Sequence, residues 1–471
     1  MSSYSSSIRL YKRMPPAVKR TIGMALRPVP RRVLLGRGFQ DKLKFLMGSD
    51  TWSLEELEAF QLKRLKALVE HAYRNVPYYH DLFTREGVHP SDVNSLSSLR
   101  RIPHLDRETI TRRYADLTSS DAAEHLPGKA STSGTSGRPL RFLLDQQNRE
   151  MEYASVWRSY AWGGLEGLDA RMASFRGDFV DDQDGPLWRW DPKLGELSFN
   201  TYRLDQGSIG RMLDKLNRYR PQGVRGYPHC LYVFSKAMER SGRNLEFTPI
   251  LVHTSSEQLP QYMRDTIERA FGTKVLDWYA QSEYVVSIGQ CREGRYHQVM
   301  ETGIMRVEED AWGQESIIGT GLWNYSMPFI NYETGDVAML DDAECPCGRH
   351  HLAVKAIEGR STDFVIARGK TISGMVVENH YDKNILPHLK GVPDFFRLVQ
   401  ESRDAYTIEL FRREGMTEED TALISTAFRA ILGEDAEVKV RFLDSFPGQR
   451  KWKLVESRLT SGTIAKLLDE E

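Results

Sequence analysis

Apolar residues recur at helical spacing through Leu57, Phe60, Leu65, Leu68, Val69 and Ala72 and stop at Pro77. Ser53 and Glu56 precede this run in the arrangement of a capping box, so the pattern predicts an amphipathic helix with a defined start and a proline stop. Between about 200 and 285 the pattern alternates. Helical "SIGRMLDKLNRY", "CLYVFSKAMERSG" and "QYMRDTIERAFG" are separated by the short apolar runs "GVRGY", "PILVHTS" and "KVLDWY". Strands alternating with helices of this length predict a parallel sheet covered on both faces, with ligands at the carboxyl ends of its strands. That rule places "SSEQLP" and "YAQSEY" at a site edge.

From 296 to 356 the signals become short and strand-like, with many turns. A third region begins near Gly359 with "DFVIARG", a helix around Val376 to Leu386, "FFRLVQES", "AYTIELFR", a helix from Thr417 to Leu432, and "AEVKVRFL". The chain reads as an α/β protein. Residues 1–359 form a large N-terminal domain with mixed or parallel sheets covered by helices and a β-rich segment at 296–356. Residues 360–471 form a small α+β C-terminal domain.

Composition narrows the function classes. With 64 basic and 65 acidic residues in 471, the chain has no bulk charge to hold nucleic acid. No apolar run approaches the ~18 residues that span a bilayer, and the N-terminus lacks a secretory apolar core, which predicts a cytoplasmic protein. The exception is a basic arm at residues 1–40, with nine Lys or Arg and no acidic residue. Its prolines at 15, 16, 28 and 30 favour an arm packed on the body, and leave peripheral membrane contact as the sharper reading.

The four cysteines are too few for a disulfide framework. "CPCG" presents Cys345 and Cys347 in a tight turn, and Cys291 with His297 forms a Cys-x5-His half-site. Together they make a Cys3His set suited to structural zinc, with His350 and His351 as alternative nitrogen ligands.

The stretch "STSGTSGRP" at 131–139 is a turn-rich loop by composition. It is not a Walker loop, because Pro139 stands where the second glycine belongs. Its glycines would let backbone N–H groups approach phosphate oxygens, and Ser133, Thr135, Ser136 and Arg138 add hydroxyls and a cation. Further along come "YAQSE" at 279–283, "YETGD" at 332–336 and "GRSTD" at 359–363. An aromatic face for a base, a hydroxyl for phosphate, a carboxylate for Mg²⁺ and another for ribose hydroxyls together describe ATP.

On these four motifs the chain resembles the adenylate-forming (AMP-binding) superfamily, in the branch of phenylacetate-CoA ligase and the CapK-like capsule-biosynthesis proteins. The resemblance runs from "YYHDLF" to "RKWKLVES". It implies that Ser133, Gly134, Thr135, Ser136, Gly137 and Arg138 close over the β- and γ-phosphates, that Tyr279 stacks on adenine, and that Ser282 contacts the α-phosphate. It also implies that Glu283 helps hold Mg²⁺, that Asp336 and Arg360 grip the ribose, and that Lys451 is the catalytic lysine, with Lys453 as its rival. The hinge falls on Thr362, where relatives commonly carry an acidic residue, and the C-terminal domain is expected to move about it. Ala280 and Arg450 stand where glycines are usual.

The implied activity is ATP-dependent activation of a carboxylic acid through an acyl-adenylate, with transfer to coenzyme A. Zinc-binding clusters occur in some members of the branch. The same resemblance leaves open transfer to a coenzyme, amine or polysaccharide precursor, and a non-catalytic nucleotide-binding protein. Retention of Glu283, Asp336, Arg360 and a lysine argues against the last of these.

Overall fold

The computed structural model describes residues 29–467 apart from 133–139, 177–184, 192–193, 202, 204–205, 310–314, 361–363, 369, 375–376, 378–379, 382–383, 392, 394, 412–414, 444–453, 461–462 and 464–466. At 206, 358–360, 370–371, 373 and 395 it describes the backbone alone. The 133–139 stretch, the expected hinge residue Thr362 and both candidate lysines therefore lie outside the described residues, as does the arm before residue 29.

Helix α1 (Arg31–Ser49) follows Pro30, and α2 (Leu54–Asn75) starts at the expected capping box: the Glu56 N–H donates to Ser53 Oγ at 3.2 Å and the Ser53 N–H to Glu56 Oε2 at 2.8 Å. Leu57, Leu65, Leu68, Val69 and Ala72 are fully buried, which is the stripe read from spacing. Helix α3 (Pro77–Glu86) begins at the predicted stop with Pro77 in its first turn. The described end of the basic arm packs on the body. Arg31 is buried, lies over the Trp157 ring and donates to the carbonyls of Leu168, Ala170, Leu194 and Gly195.

A hairpin of β1 (Gly128–Ser131) and β2 (Arg141–Leu144) leads into α4 (Gln146–Trp162). The main sheet then assembles from β3 (Met172–Phe175), β4 (Trp188–Asp191), β5 (Glu196–Phe199), β6 (Gly223–Gly226), β7 (Leu251–Ser255) and β8 (Val275–Ala280). It continues through β9 (Ser287–Gln290), β10 (Tyr296–Gln298), β11 (Gly303–Glu309), β12 (Glu315–Gly321), β13 (Tyr332–Leu340) and β14 (Ala353–Arg360). Helix α5 (Gln206–Tyr219) precedes β6, α6 (Pro228–Ser241) connects β6 to β7, and α7 (Gln261–Phe271) connects β7 to β8.

These twelve strands form one sheet in the order β11-β12-β13-β14-β10-β9-β8-β7-β6-β3-β5-β4. Strands β5, β3, β6, β7 and β8 run parallel as expected, and β3, β6 and β7 are buried at every position, as sheets covered on both faces require. The β-rich segment is not a separate layer. The sheet changes from parallel to antiparallel between β8 and β9 and runs on through β14. That switch sets the end of β8 in the middle of the sheet.

The C-terminal region has its own sheet and core. Strands β15 (Phe364–Ala367) and β16 (Lys370–Ser373) pair as a hairpin, and a four-stranded sheet contains β17 (Phe395–Gln400), β18 (Ala405–Phe411), β19 (Glu437–Leu443) and β20 (Val455–Ser457). Helix α8 (Glu418–Leu432) is capped by Thr417, whose Oγ1 accepts from the Asp420 N–H at 3.2 Å, and it buries Ile424, Phe428 and Leu432 against this sheet.

A buried ion pair joins α4 to the turn before β11. Arg158 on α4 donates to both carboxylate oxygens of Glu301, at 2.6 and 3.1 Å, and Ser49 at the end of α1 donates to the same carboxylate at 2.5 Å. Both side chains of the pair are wholly buried. Burial pushes the Glu301 carboxyl up, but the Arg158 guanidinium, His351 and the hydrogen bonds outweigh it and hold it down at about 2. Its stabilisation is therefore present above the ordinary carboxylate range and is lost only as the pH falls toward about 2. Glu301→Gln leaves a buried guanidinium without its counter-charge and should lower stability by about 3–5 kcal/mol in urea unfolding.

Candidate functional site

Five polar side chains from distant parts of the chain meet where the sheet switches direction. Tyr279 is the penultimate residue of β8, and the strand is followed by a tight turn at 281–286 in which Tyr284 takes a left-handed φ of 53°. The turn is seated directly on the neighbouring hairpin. A Cβ at Gly303 would collide with the carbonyl oxygen of Val285, and one at Gly319 would lie 2.8 Å from the Val286 side chain. Only glycine lets β11 and β12 lie this close beneath the turn. Within it, the Val286 N–H donates to Gln281 Oε1 at 3.2 Å, and Gln281 Nε2 donates to Tyr279 Oη at 2.5 Å.

Two tyrosines each hold one of the candidate carboxylates. Tyr279 Oη donates to Asp336 Oδ2 at 2.6 Å, and Tyr332 Oη donates to Glu283 Oε1 at 2.7 Å. Burial, then the neighbouring carboxylate, pushes both phenols well above the usual tyrosine range, so each stays protonated and remains a donor. Glu283 is itself buried, at 5% exposure. Ser282 points outward as an exposed residue at the tip of the turn. On β13, Asp336 pairs in register with Arg360 on β14, which brings the two expected ribose positions side by side in the backbone.

The sequence reading missed Arg107. Leu105 bridges to Tyr332 as an added strand position, its N–H donating to the Asn331 carbonyl at 2.9 Å while the Glu333 N–H donates back to the Leu105 carbonyl at 3.0 Å. Asn331 anchors that junction in a left-handed conformation, φ 51°, and donates through Nδ2 to the carbonyls of Leu99 and Ile102. Arg107 consequently lies 3.9 Å from Glu283 Oε1 and donates to Thr132 Oγ1 at 3.4 Å. Thr132 closes the neck of the 133–139 loop. Its N–H donates to the Leu140 carbonyl at 3.0 Å, and the Leu140 N–H donates to Thr132 Oγ1 at 3.0 Å. The root of the loop, Arg107, Glu283 and Tyr332 thus form one connected polar chain beside the Tyr279–Asp336 pair.

His229 is buried on α6. It sits in the first turn, where Nδ1 is 2.5 Å from Glu257 Oε2 and Nε2 is 3.0 Å from Cys230 Sγ. Trp157 and Trp162 are buried in the main core, in keeping with a packing role.

The cysteine cluster assembles at the other end of β9. Cys291 follows β9, His297 lies on β10, and Cys345 and Cys347 lie in the turn between β13 and β14. Their donor atoms all lie within 4.8 Å of one another. Cys291 Sγ is 3.7 Å from Cys345 Sγ, and Cys347 Sγ is 3.4 Å from His297 Nε2. A tetrahedral centre with metal–sulfur bonds of about 2.3 Å and metal–nitrogen bonds of about 2.0 Å sets such atoms about 3.8 and 3.5 Å apart, so the donor set fits. Burial holds the His297 imidazole down at about 4, leaving it neutral near pH 7 as a nitrogen donor must be. His350 is exposed, and His351 lies 3.8 Å from Glu301 and outside the cluster.

The architecture is that of the adenylate-forming acyl-CoA ligases. The chain superposes on 2-hydroxyisobutyryl-CoA ligase, solved in the postadenylation state in complex with R3-HIB-AMP. The TM-score is 0.66 over 90% of this chain and 94% of that one, at 18% identity. In sequence it is homologous to the phenylacetate-CoA ligases and to CapK. It is 28% identical over 347 residues to phenylacetate-coenzyme A ligase of Aromatoleum evansii, covering 70% of this chain and 77% of that protein. It is 22% identical over 322 residues to Protein CapK of Staphylococcus aureus, covering 67% and 71% respectively. No family model matches the chain. Among the described residues, no helix is long and apolar enough to cross a membrane.

Proposed function

We propose that this chain is an AMP-forming acid–thiol ligase that activates a carboxylic acid with ATP and transfers the acyl group to coenzyme A. The observation that carries the reading is the unbroken polar chain from the neck of the 133–139 loop through Arg107 to Glu283 and Tyr332, beside Tyr279 and Asp336. These residues would supply phosphate, metal and ribose contacts around the end of β8.

In the first half-reaction the substrate carboxylate attacks the α-phosphorus of ATP and pyrophosphate leaves. Backbone N–H groups and hydroxyls of residues 133–138 receive the β- and γ-phosphates, Asp336 and Arg360 hold the ribose, and the Tyr279 ring flanks the base. The Glu283 carboxylate, fixed by Tyr332, is the hard oxygen donor suited to Mg²⁺, which when bound neutralises phosphate charge. Lys451 faces the negative charge that develops on the α-phosphate. In the second half-reaction the thiolate of coenzyme A attacks the acyl carbonyl and AMP leaves with the bonding electron pair. A rotation of the C-terminal domain about Thr362 removes the lysine and admits the thiol. With ATP, Mg²⁺ and a suitable acid present, AMP release should require added coenzyme A and match thioester formed. AMP release that ignores coenzyme A would move the acceptor to another nucleophile.

Cys291, His297, Cys345 and Cys347 are assigned to structural zinc, which would cross-link the β9 end, β10 and the β13–β14 turn. Chelator-washed, folded protein should retain about one zinc per chain. Cys345→Ser should release that zinc and lower the melting temperature. Less than half an equivalent in the unsubstituted protein would refute the assignment.

A further inference from the structure

A second cluster of metal-ligating side chains lies away from both the nucleotide residues and the cysteines. His71 is in the last turns of α2, while Asp121 precedes and His125 ends the single turn Ala122–His125 that runs into β1. One donor atom from each lies within 4.8 Å of the others. His125 Nε2 is 3.4 Å from Asp121 Oδ1, and His71 Nδ1 is 3.8 Å from Asp121 Oδ2. Nitrogen and oxygen ligands at about 2.0–2.1 Å around a tetrahedral ion stand about 3.3–3.4 Å apart; the His125–Asp121 pair is at that spacing and the His71–Asp121 pair lies slightly beyond it.

The surroundings orient these atoms as a binding site does. His71 Nε2 lies 3.0 Å from the Tyr325 carbonyl, so its proton belongs there and the Nδ1 lone pair faces the cluster. Asn75 Nδ2 sits 3.1 Å from that Nδ1, and a bound ion would take its place. Ser119 Oγ donates to Asp121 Oδ1 at 2.5 Å. The Tyr325 ring packs on both imidazoles. His125 Nε2 is buried and faces the Asp121 carboxylate. The three side chains nonetheless keep 11–26% exposure, which leaves a path for an ion and its waters.

We propose that His71, Asp121 and His125 bind a divalent transition-metal ion of the zinc class. Two imidazoles and one carboxylate with open positions suit such an ion better than magnesium or calcium. Its mechanical consequence follows from the topology. Asp121 and His125 stand just before β1, and β1 leads within four residues to the neck of the 133–139 loop. The ion would clamp the root of that loop to α2.

Full-length protein freed of all metal by chelator in denaturant, then refolded with cobalt(II), tests this. The unsubstituted protein should take up two equivalents, one with intense thiolate charge-transfer absorption and one with only weak visible d–d bands. Cys345→Ser with Cys347→Ser should abolish the first signal alone, and His125→Gln should abolish the second alone. Zinc should slow amide exchange over residues 119–132 in the unsubstituted chain and not in His125→Gln. Uptake limited to the thiolate-bound ion, or cobalt content and exchange unchanged by His125→Gln in protein that keeps its circular dichroism, would overturn the assignment.

Discussion

Lys451→Ala should slow acid-dependent ATP–pyrophosphate exchange by about 10²–10⁴-fold, because a single positive charge placed against a developing phosphoryl charge in a water-poor site is worth that much. Thioester formation from a preformed acyl-adenylate and coenzyme A should stay close to the unsubstituted rate. The asymmetry follows from the proposed domain rotation, which takes the lysine out of the site before the thiol arrives. Lys453→Ala, two residues away and just ahead of β20, should leave both half-reactions near normal. Equal losses in both half-reactions for Lys451→Ala would contradict its role, and a selective loss in Lys453→Ala would transfer that role to the neighbour.

Glu283→Gln should cut kcat/KM for ATP by about 10²–10³-fold and raise the Mg²⁺ concentration needed for half-maximal rate. The substitution keeps the size of the side chain and removes its charge, so the Tyr332 hydroxyl still has an oxygen to meet. Tyr332→Phe removes the positioning bond and leaves the carboxylate. Loss of one hydrogen bond to a charged group is worth about 1.5–3 kcal/mol, so its cost should be roughly 10–100-fold. An unchanged Mg²⁺ dependence in Glu283→Gln would remove the carboxylate from the metal site.

Local signals made some elements legible. Ser53 and Glu56 sit three residues apart and decide the start of α2, while Pro77 decides its end, so no distant contact was needed. The α6 and α7 crossovers announced parallel strands because both faces of such strands must be apolar. The cysteines were legible for a different reason: few residue types bind zinc, and four of them fell into two short half-sites that the sheet brings together.

What escaped the sequence was non-local. Nothing near position 107 signals that Leu105 will bridge to Tyr332 and carry an arginine to Glu283. No local signal marks Gly303 and Gly319, whose purpose appears only where the 281–286 turn rests on them. Arg158 and Glu301 are 143 residues apart, and only the assembled core shows that each neutralises the other. The merging of the β-rich segment with the parallel strands into one sheet was hidden too, since strand order is set by packing of whole elements.

The central claim, that this chain makes an acyl-adenylate, is tested most directly by exchange of labelled pyrophosphate into ATP across a panel of aryl, fatty and sugar-linked carboxylic acids, with Mg²⁺ and without coenzyme A. Exchange should depend on one class of acid, need Mg²⁺ and collapse in Glu283→Gln. Folded protein that binds ATP yet supports no acid-dependent exchange across the panel would contradict adenylate formation.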